Sequence, residues 1–153
     1  MEMTTVVSLL VLVMALVLLK FLPRLLAGVP FVSPSDLKAR MDHGEVLLVI
    51  DVRTADEFIG AFGHVPGSLN LPLSELRARL EDVQERLTSL RTTPIFLMCL
   101  SANRAGRAAR LLRQAGLANI HVVEGGMIRW TRMGLPTTTG HAAQRRNKRQ
   151  GKD

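Results

Sequence analysis

The chain has 153 residues, with 20 Lys and Arg against 13 Asp and Glu, a formal charge of +7, 47% hydrophobic residues, 4% aromatic residues and one cysteine. This length allows one ordinary domain. A lone cysteine excludes a disulfide scaffold and a cysteine-built zinc site, and suits a reducing compartment.

Residues Thr4 to Leu19 form 16 positions without a charge, and Lys20, Phe21 and Leu22 extend the run to 19. The run is apolar on every helical face, just long enough to span a bilayer, and Pro23 is expected to end it. A cleaved signal peptide fits less well, because Glu2 replaces the positive n-region while Lys20 and Arg24 follow the run. These features predict a single-pass anchor over residues 1–24 and a linker over 25–30. Lys20, Arg24, Lys38 and Arg40 on the C-terminal side place the N-terminus outside and the domain in the cytoplasm, at an inner membrane.

Residues 31–138 suffice for one compact core. Ser33, Pro34 and Asp36 open a helix that Gly44 should stop. Val46 to Ile50 is apolar at every position, as is Ile95 to Cys99, the pattern of strands buried on both faces. Leu69 to Leu71 and Ile120 to Val123 are weaker copies. Ser74 can cap a helix on which Leu76, Leu80, Val83 and Leu87 share a face. A third helix, from about Asn103 to Ala115, buries small residues and carries Arg107, Arg110 and Arg113 on its other side. Strands alternating with helices predict an α/β fold with a mainly parallel sheet, whose ligands sit beyond the C-terminal strand ends.

The only cysteine lies at such an end. In Cys99-Leu100-Ser101-Ala102-Asn103-Arg104 the thiol faces a helix N-terminus. Its amides, with Arg104, are expected to lower the thiol pKa and to hold a terminal sulfur anion. Ser101 and Asn103 suit either donation to that sulfur or helix capping.

Several motifs in order resemble the single-domain rhodaneses, a sulfurtransferase family: Asp51-Val52-Arg53 with Glu57-Phe58, the stretch Gly63 to Pro72, the Cys99 to Arg104 loop, and Glu124 to Met127 with Trp130. The resemblance covers nearly all of residues 31–138. It implies a rhodanese-like parallel five-stranded sheet flanked by helices, with Cys99 as the catalytic carrier of a sulfane sulfur and Leu100, Ser101, Ala102, Asn103 and Arg104 as the substrate-binding loop. The resemblance further implies a covalent persulfide intermediate with no cofactor and no metal, thiosulfate or a small or protein persulfide as the expected donor, and a thiophilic acceptor. Related phosphatases use Cys-x5-Arg, whereas four residues separate Cys99 from Arg104 and position 105 is Ala105, which argues against phosphatase chemistry. Leu100 stands where the family often has a basic residue, and Ala102 where a glycine is common; if φ is positive there, alanine carries strain. These departures predict modest thiosulfate activity and leave open a catalytically weak module that binds a membrane protein. A redox relay is disfavoured by the lack of a resolving cysteine.

Asp51 and Arg53 are expected to be architectural, with Glu57 as partner of Arg53, and His64 to fasten the Gly63 to Gly67 turn. Residues 139–153 read as a basic, disordered tail: five basic residues against Asp153 leave no apolar periodicity. The rest is mildly basic, and no specific nucleic acid is expected as partner.

Overall fold

The structure, a computed structural model, describes residues 2–82 and 92–139; side chains of residues 2–4, 19–27, 81 and 82 also lie outside the description. The expected tail beyond Thr139, and Val83 and Leu87 of the second predicted helix, fall outside it.

Eleven elements alternate along these residues: α1 (Glu2–Ala27), β1 (Phe31–Val32), α2 (Pro34–Asp42), β2 (Leu48–Asp51), α3 (Ala55–Ile59), β3 (Leu69–Asn70), α4 (Leu73–Asp82), β4 (Ile95–Met98), α5 (Asn103–Gln114), β5 (Ile120–Val123) and α6 (Gly126–Arg132). The five strands form one parallel sheet in the order β1-β5-β4-β2-β3, so β4 is central. Alternation along the strands splits the core in two. Ile95, Leu97 and Cys99 face Ala105, Ala108, Ala109 and Leu112 of α5 and Leu76 of α4. Phe96 and Met98 face the other way, against Leu37 of α2 and Met127 and Trp130 of α6. Small residues on α5 let that helix lie close to the sheet, which brings its N-terminus to the end of β4.

Several boundaries differ from the sequence reading. The strand expected over 46–50 lies at Leu48–Asp51, and Val46 is 83% exposed, so apolarity alone misplaced it by the two residues that precede the sheet. Ser33 caps α2 as expected, its hydroxyl accepting the Asp36 amide at 3.1 Å. Ser74 is not a cap, because α4 begins one residue earlier, at Leu73, directly after Pro72.

The N-terminal segment departs most. Pro23 does not end the helix, which continues to Ala27 and packs against α5; the Arg113 guanidinium donates to the Gly28 carbonyl just beyond its end. A proline removes one helical hydrogen bond, and a tertiary contact at the C-terminal end offsets that loss. The membrane-spanning anchor is not supported: no helix among the described residues is long and apolar enough to cross a membrane. At a rise of about 1.5 Å per residue, the charge-free run covers about 24 Å, short of a hydrocarbon core of about 30 Å. A membrane-protein partner, which rested on that span, is likewise unsupported.

Candidate active site

The site forms where β4 ends. Cys99 follows the last paired residue of the strand and is 1% exposed. The chain then turns through Leu100, Ser101 and Ala102 before α5 begins at Asn103. Ala102 has φ 84°, the only positive φ at a non-glycine among the described residues. That left-handed step curls the backbone under the thiol, so that the Ala102 amide donates to Cys99 Sγ at 3.1 Å and the Ala105 amide at 3.4 Å. The first-turn amides of Asn103 and Arg104 have no partner within the helix and face the same end. A sulfur anion at Sγ therefore lies among backbone dipoles, and an added outer sulfur would remain at the helix N-terminus.

Neither Ser101 nor Asn103 caps α5; its first turn has no side-chain cap, because the Ala102 backbone makes the entry instead. Both are exposed at the mouth, and Leu100 and Ala102 are half-buried beside them.

A second helix holds the loop from behind. The amides of Met127 and Ile128, at the start of α6, donate to the carbonyls of Cys99 at 2.8 Å and Leu100 at 3.1 Å. Such close approach requires Gly126: a Cβ there would overlap both carbonyl groups, and φ is +53°. The sequence signalled this only as the pair Gly125-Gly126.

Arg104 does not point free into the loop. Its Nη1 and Nη2 donate to Glu57 Oε2 and Oε1, both at 2.6 Å, tying α5 to α3. The expected pairing of Glu57 with Arg53 is therefore wrong. Arg53 instead folds back on Asp51, with Nε to Oδ1 at 3.0 Å and Nη2 to Oδ2 at 2.6 Å, and donates to the main-chain carbonyls of Glu57 and Gly63. Two positions of separation from Asp51 on a buried strand end allow that short fork, and both side chains are essentially sealed from solvent. Glu57 is left for Arg104. The sequence carried the cue as Thr54-Ala55-Asp56-Glu57, a capping box: Thr54 Oγ1 accepts the Glu57 amide and the Glu57 carboxylate accepts the Thr54 amide.

The hydrogen bonds from Arg104 hold the Glu57 carboxyl near pKa 2 despite partial burial, with Thr54 adding to the effect. Arg104 is raised in turn by Glu57, with Cys99 and Asp51 contributing attraction. His64, expected to fasten the Gly63 to Gly67 turn, instead bonds outward from it: Nδ1 lies 2.9 Å from the Phe58 carbonyl of α3, the ring stacks on Phe58, and its backbone pairs with Thr138, while Ser68 bonds to Val65 within the turn. No metal-ligating cluster occurs among the described residues.

The resulting site is a buried thiol at a strand-to-helix turn, ringed by amides, with the adjacent arginine already neutralised. Known proteins share this arrangement of elements. The Rhodanese-like domain profile matches residues 33–133. YqhL of Bacillus subtilis is 38% identical over 82 residues, which are 54% of this chain and 59% of that protein. A sulfurtransferase of Allochromatium vinosum is 29% identical over 105 residues, 69% of this chain and 91% of that one. The crystal structure of a rhodanese-related protein from Thermoplasma volcanium superposes with a TM-score of 0.57 at 31% identity, covering 72% of this chain and 99% of its own. With its profile match running from α2 through α6 and including β2 to β5 and the Cys99 loop, the chain belongs to the rhodanese-like domain family.

Proposed function

We propose that the chain is a sulfurtransferase in which Cys99 carries sulfane sulfur as a persulfide. The observation that carries this reading is the pair of amides aimed at Sγ, from Ala102 and Ala105, at the N-terminus of α5. In loading, the Cys99 thiolate attacks the sulfane sulfur of a donor, the Sγ–S bond forms, and the donor's S–S bond breaks to release sulfite from thiosulfate or a thiolate from a persulfide. In unloading, a thiophilic acceptor attacks the outer sulfur and the Cys99 thiolate leaves. No net oxidation occurs in either step, and neither needs a general base once the thiolate is present.

Leu100, Ser101, Ala102, Asn103 and Arg104 form the substrate-binding loop through their backbone. Arg104 acts as a brace, since Glu57 occupies its guanidinium. With Leu100 apolar and Arg104 engaged, the mouth offers a dianion little charge, which supports a persulfide over thiosulfate as donor. The test is cyanide as acceptor. Thiocyanate should form catalytically with glutathione persulfide and more slowly with thiosulfate, and Cys99→Ser should abolish both. If neither donor yields thiocyanate above the Cys99→Ser background, the alternative reading of a binding module stands instead, favoured by Leu100 and the strained Ala102.

A further inference from the structure

Beside the Cys99 loop, α5 presents a short row of cations. Arg104, Arg107, Arg110 and Arg113 recur every three residues: Arg107 and Arg110 lie on the helix side opposite the buried Ala105, Ala108, Ala109 and Leu112, and Arg104 and Arg113 flank that buried face. The two ends of the row are committed, Arg104 to Glu57 and Arg113 to the Gly28 carbonyl. Arg107 and Arg110 are exposed and form no ion pair among the described residues. Solvated surface arginines are common, but these two are ordered on a helix whose first turn cradles the thiol, so their distance from the chemistry is fixed.

At about 1.5 Å per residue, Arg107 lies about 6 Å and Arg110 about 10.5 Å along the axis from Asn103. An extended peptide advances about 3.3–3.6 Å per residue, so a peptide with its cysteine at the loop would pass Arg107 about two residues away and Arg110 about three. We propose that this face of α5 docks an acidic segment of a sulfur-relay protein whose reactive cysteine has carboxylates two and three positions away. The proposal rests on the persulfide reading of Cys99 and names the partner of that same site. Charge complementarity selects the occupant. Cys99 is 1% exposed, so a partner must present a slender sulfur-bearing loop, which a protein segment does. When docked, the partner's cysteine persulfide is attacked at its outer sulfur by the Cys99 thiolate; the new S–S bond forms on Cys99 and the partner's cysteine leaves as a thiolate.

The test uses the full chain and synthetic heptapeptides with a central cysteine persulfide, glycine on each side and two glutamates, or two lysines, beyond each glycine. Loading of Cys99 is followed by intact mass, with the uncharged N-acetylcysteinamide persulfide as reference donor. The acidic peptide should load about tenfold faster than the lysine peptide at low ionic strength, the gap closing at high salt. Arg107→Glu combined with Arg110→Glu should reverse the order while loading from the uncharged donor is unchanged. Arg132→Glu, on α6 across the sheet, should keep the order. Equal rates for both peptides on the wild type, or an unchanged order in the double variant, would overturn the proposal.

A dye-labelled serine analogue of the acidic peptide, read by anisotropy, tests docking without sulfur chemistry. If the uncharged donor never loads the folded chain, the carrier reading fails while anisotropy still decides the docking face. Binding of a labelled oligouridylate that is lost in the double variant, with acidic-peptide binding unaffected, would assign the face to nucleic acid and overturn the proposal.

Discussion

The Glu57 carboxylate grips the Arg104 guanidinium through two hydrogen bonds of 2.6 Å, and so fastens the first turn of α5 to the short helix that follows β2. The pair is separated by 47 positions in sequence, and both side chains are about one-third exposed. The contact also removes the one cation within the loop from service as an anion binder.

The pair predicts a definite acid dependence. The Glu57 carboxyl titrates near 2 in the fold against an ordinary 4.5, so its contribution to stability is complete above about 4.5 and is lost as pH falls toward 2. Glu57→Gln should lower stability at pH 7 modestly, by about 1 kcal/mol or less because the pair is about one-third exposed, and should flatten the profile between pH 4.5 and 2. Urea unfolding at a series of pH values checks this. An unchanged slope in that window would show that the pair contributes nothing.

Ala102 predicts a stabilising substitution. A left-handed non-glycine costs about 1–2 kcal/mol, whereas glycine adds about 0.5–1 kcal/mol of unfolded-state entropy, so Ala102→Gly should gain about 0.5–1 kcal/mol and raise Tm by several degrees. Calorimetry would show it. The amide donated to Cys99 Sγ is a backbone group and survives the change.

Gly126 predicts the opposite. Gly126→Ala forces a Cβ against the carbonyls of Cys99 and Leu100, so α6 or the loop must move and the hydrogen bonds from Met127 and Ile128 stretch. Loss of more than about 2 kcal/mol is expected, together with slower sulfur loading in the protein that still folds. Thermal melts and loading rates, measured on the same preparation, separate the two effects.

Arg53 tests the architecture below the site. It is 1% exposed and satisfies Asp51 and two main-chain carbonyls, so Arg53→Met leaves a buried carboxylate uncompensated. Destabilisation of about 3–5 kcal/mol is expected. The double change of Arg53→Met with Asp51→Leu should recover a substantial part of it in denaturant melts, since both charges are then gone.

Much of this was legible in the residues. Ile95 to Met98 is apolar at all four positions and is the central strand; Ser33 and Pro34 start α2; the small face of α5 is visible in Ala105, Ala108 and Ala109. What could not be read was long-range pairing. Glu57 reads in sequence as the partner of Arg53, its near neighbour, and only the fold shows that Asp51 claims Arg53 and leaves Glu57 to Arg104. Helix ends defined by backbone geometry, such as the Ala102 entry, leave no capping side chain to find. The apolar N-terminal run showed its composition clearly, but not that the helix would pass Pro23 or be met by α5 at its end.

The central claim is that Cys99 bears the transferred sulfur. Intact mass spectrometry of the chain after incubation with glutathione persulfide, and separately with thiosulfate, tests it directly. A gain of one sulfur, about 32 Da, that disappears with cyanide or dithiothreitol and is absent in Cys99→Ser is the predicted result, with the persulfide loading faster. A folded wild-type protein that gains no mass from either donor, or a Cys99→Ser variant that gains the same mass, would contradict it.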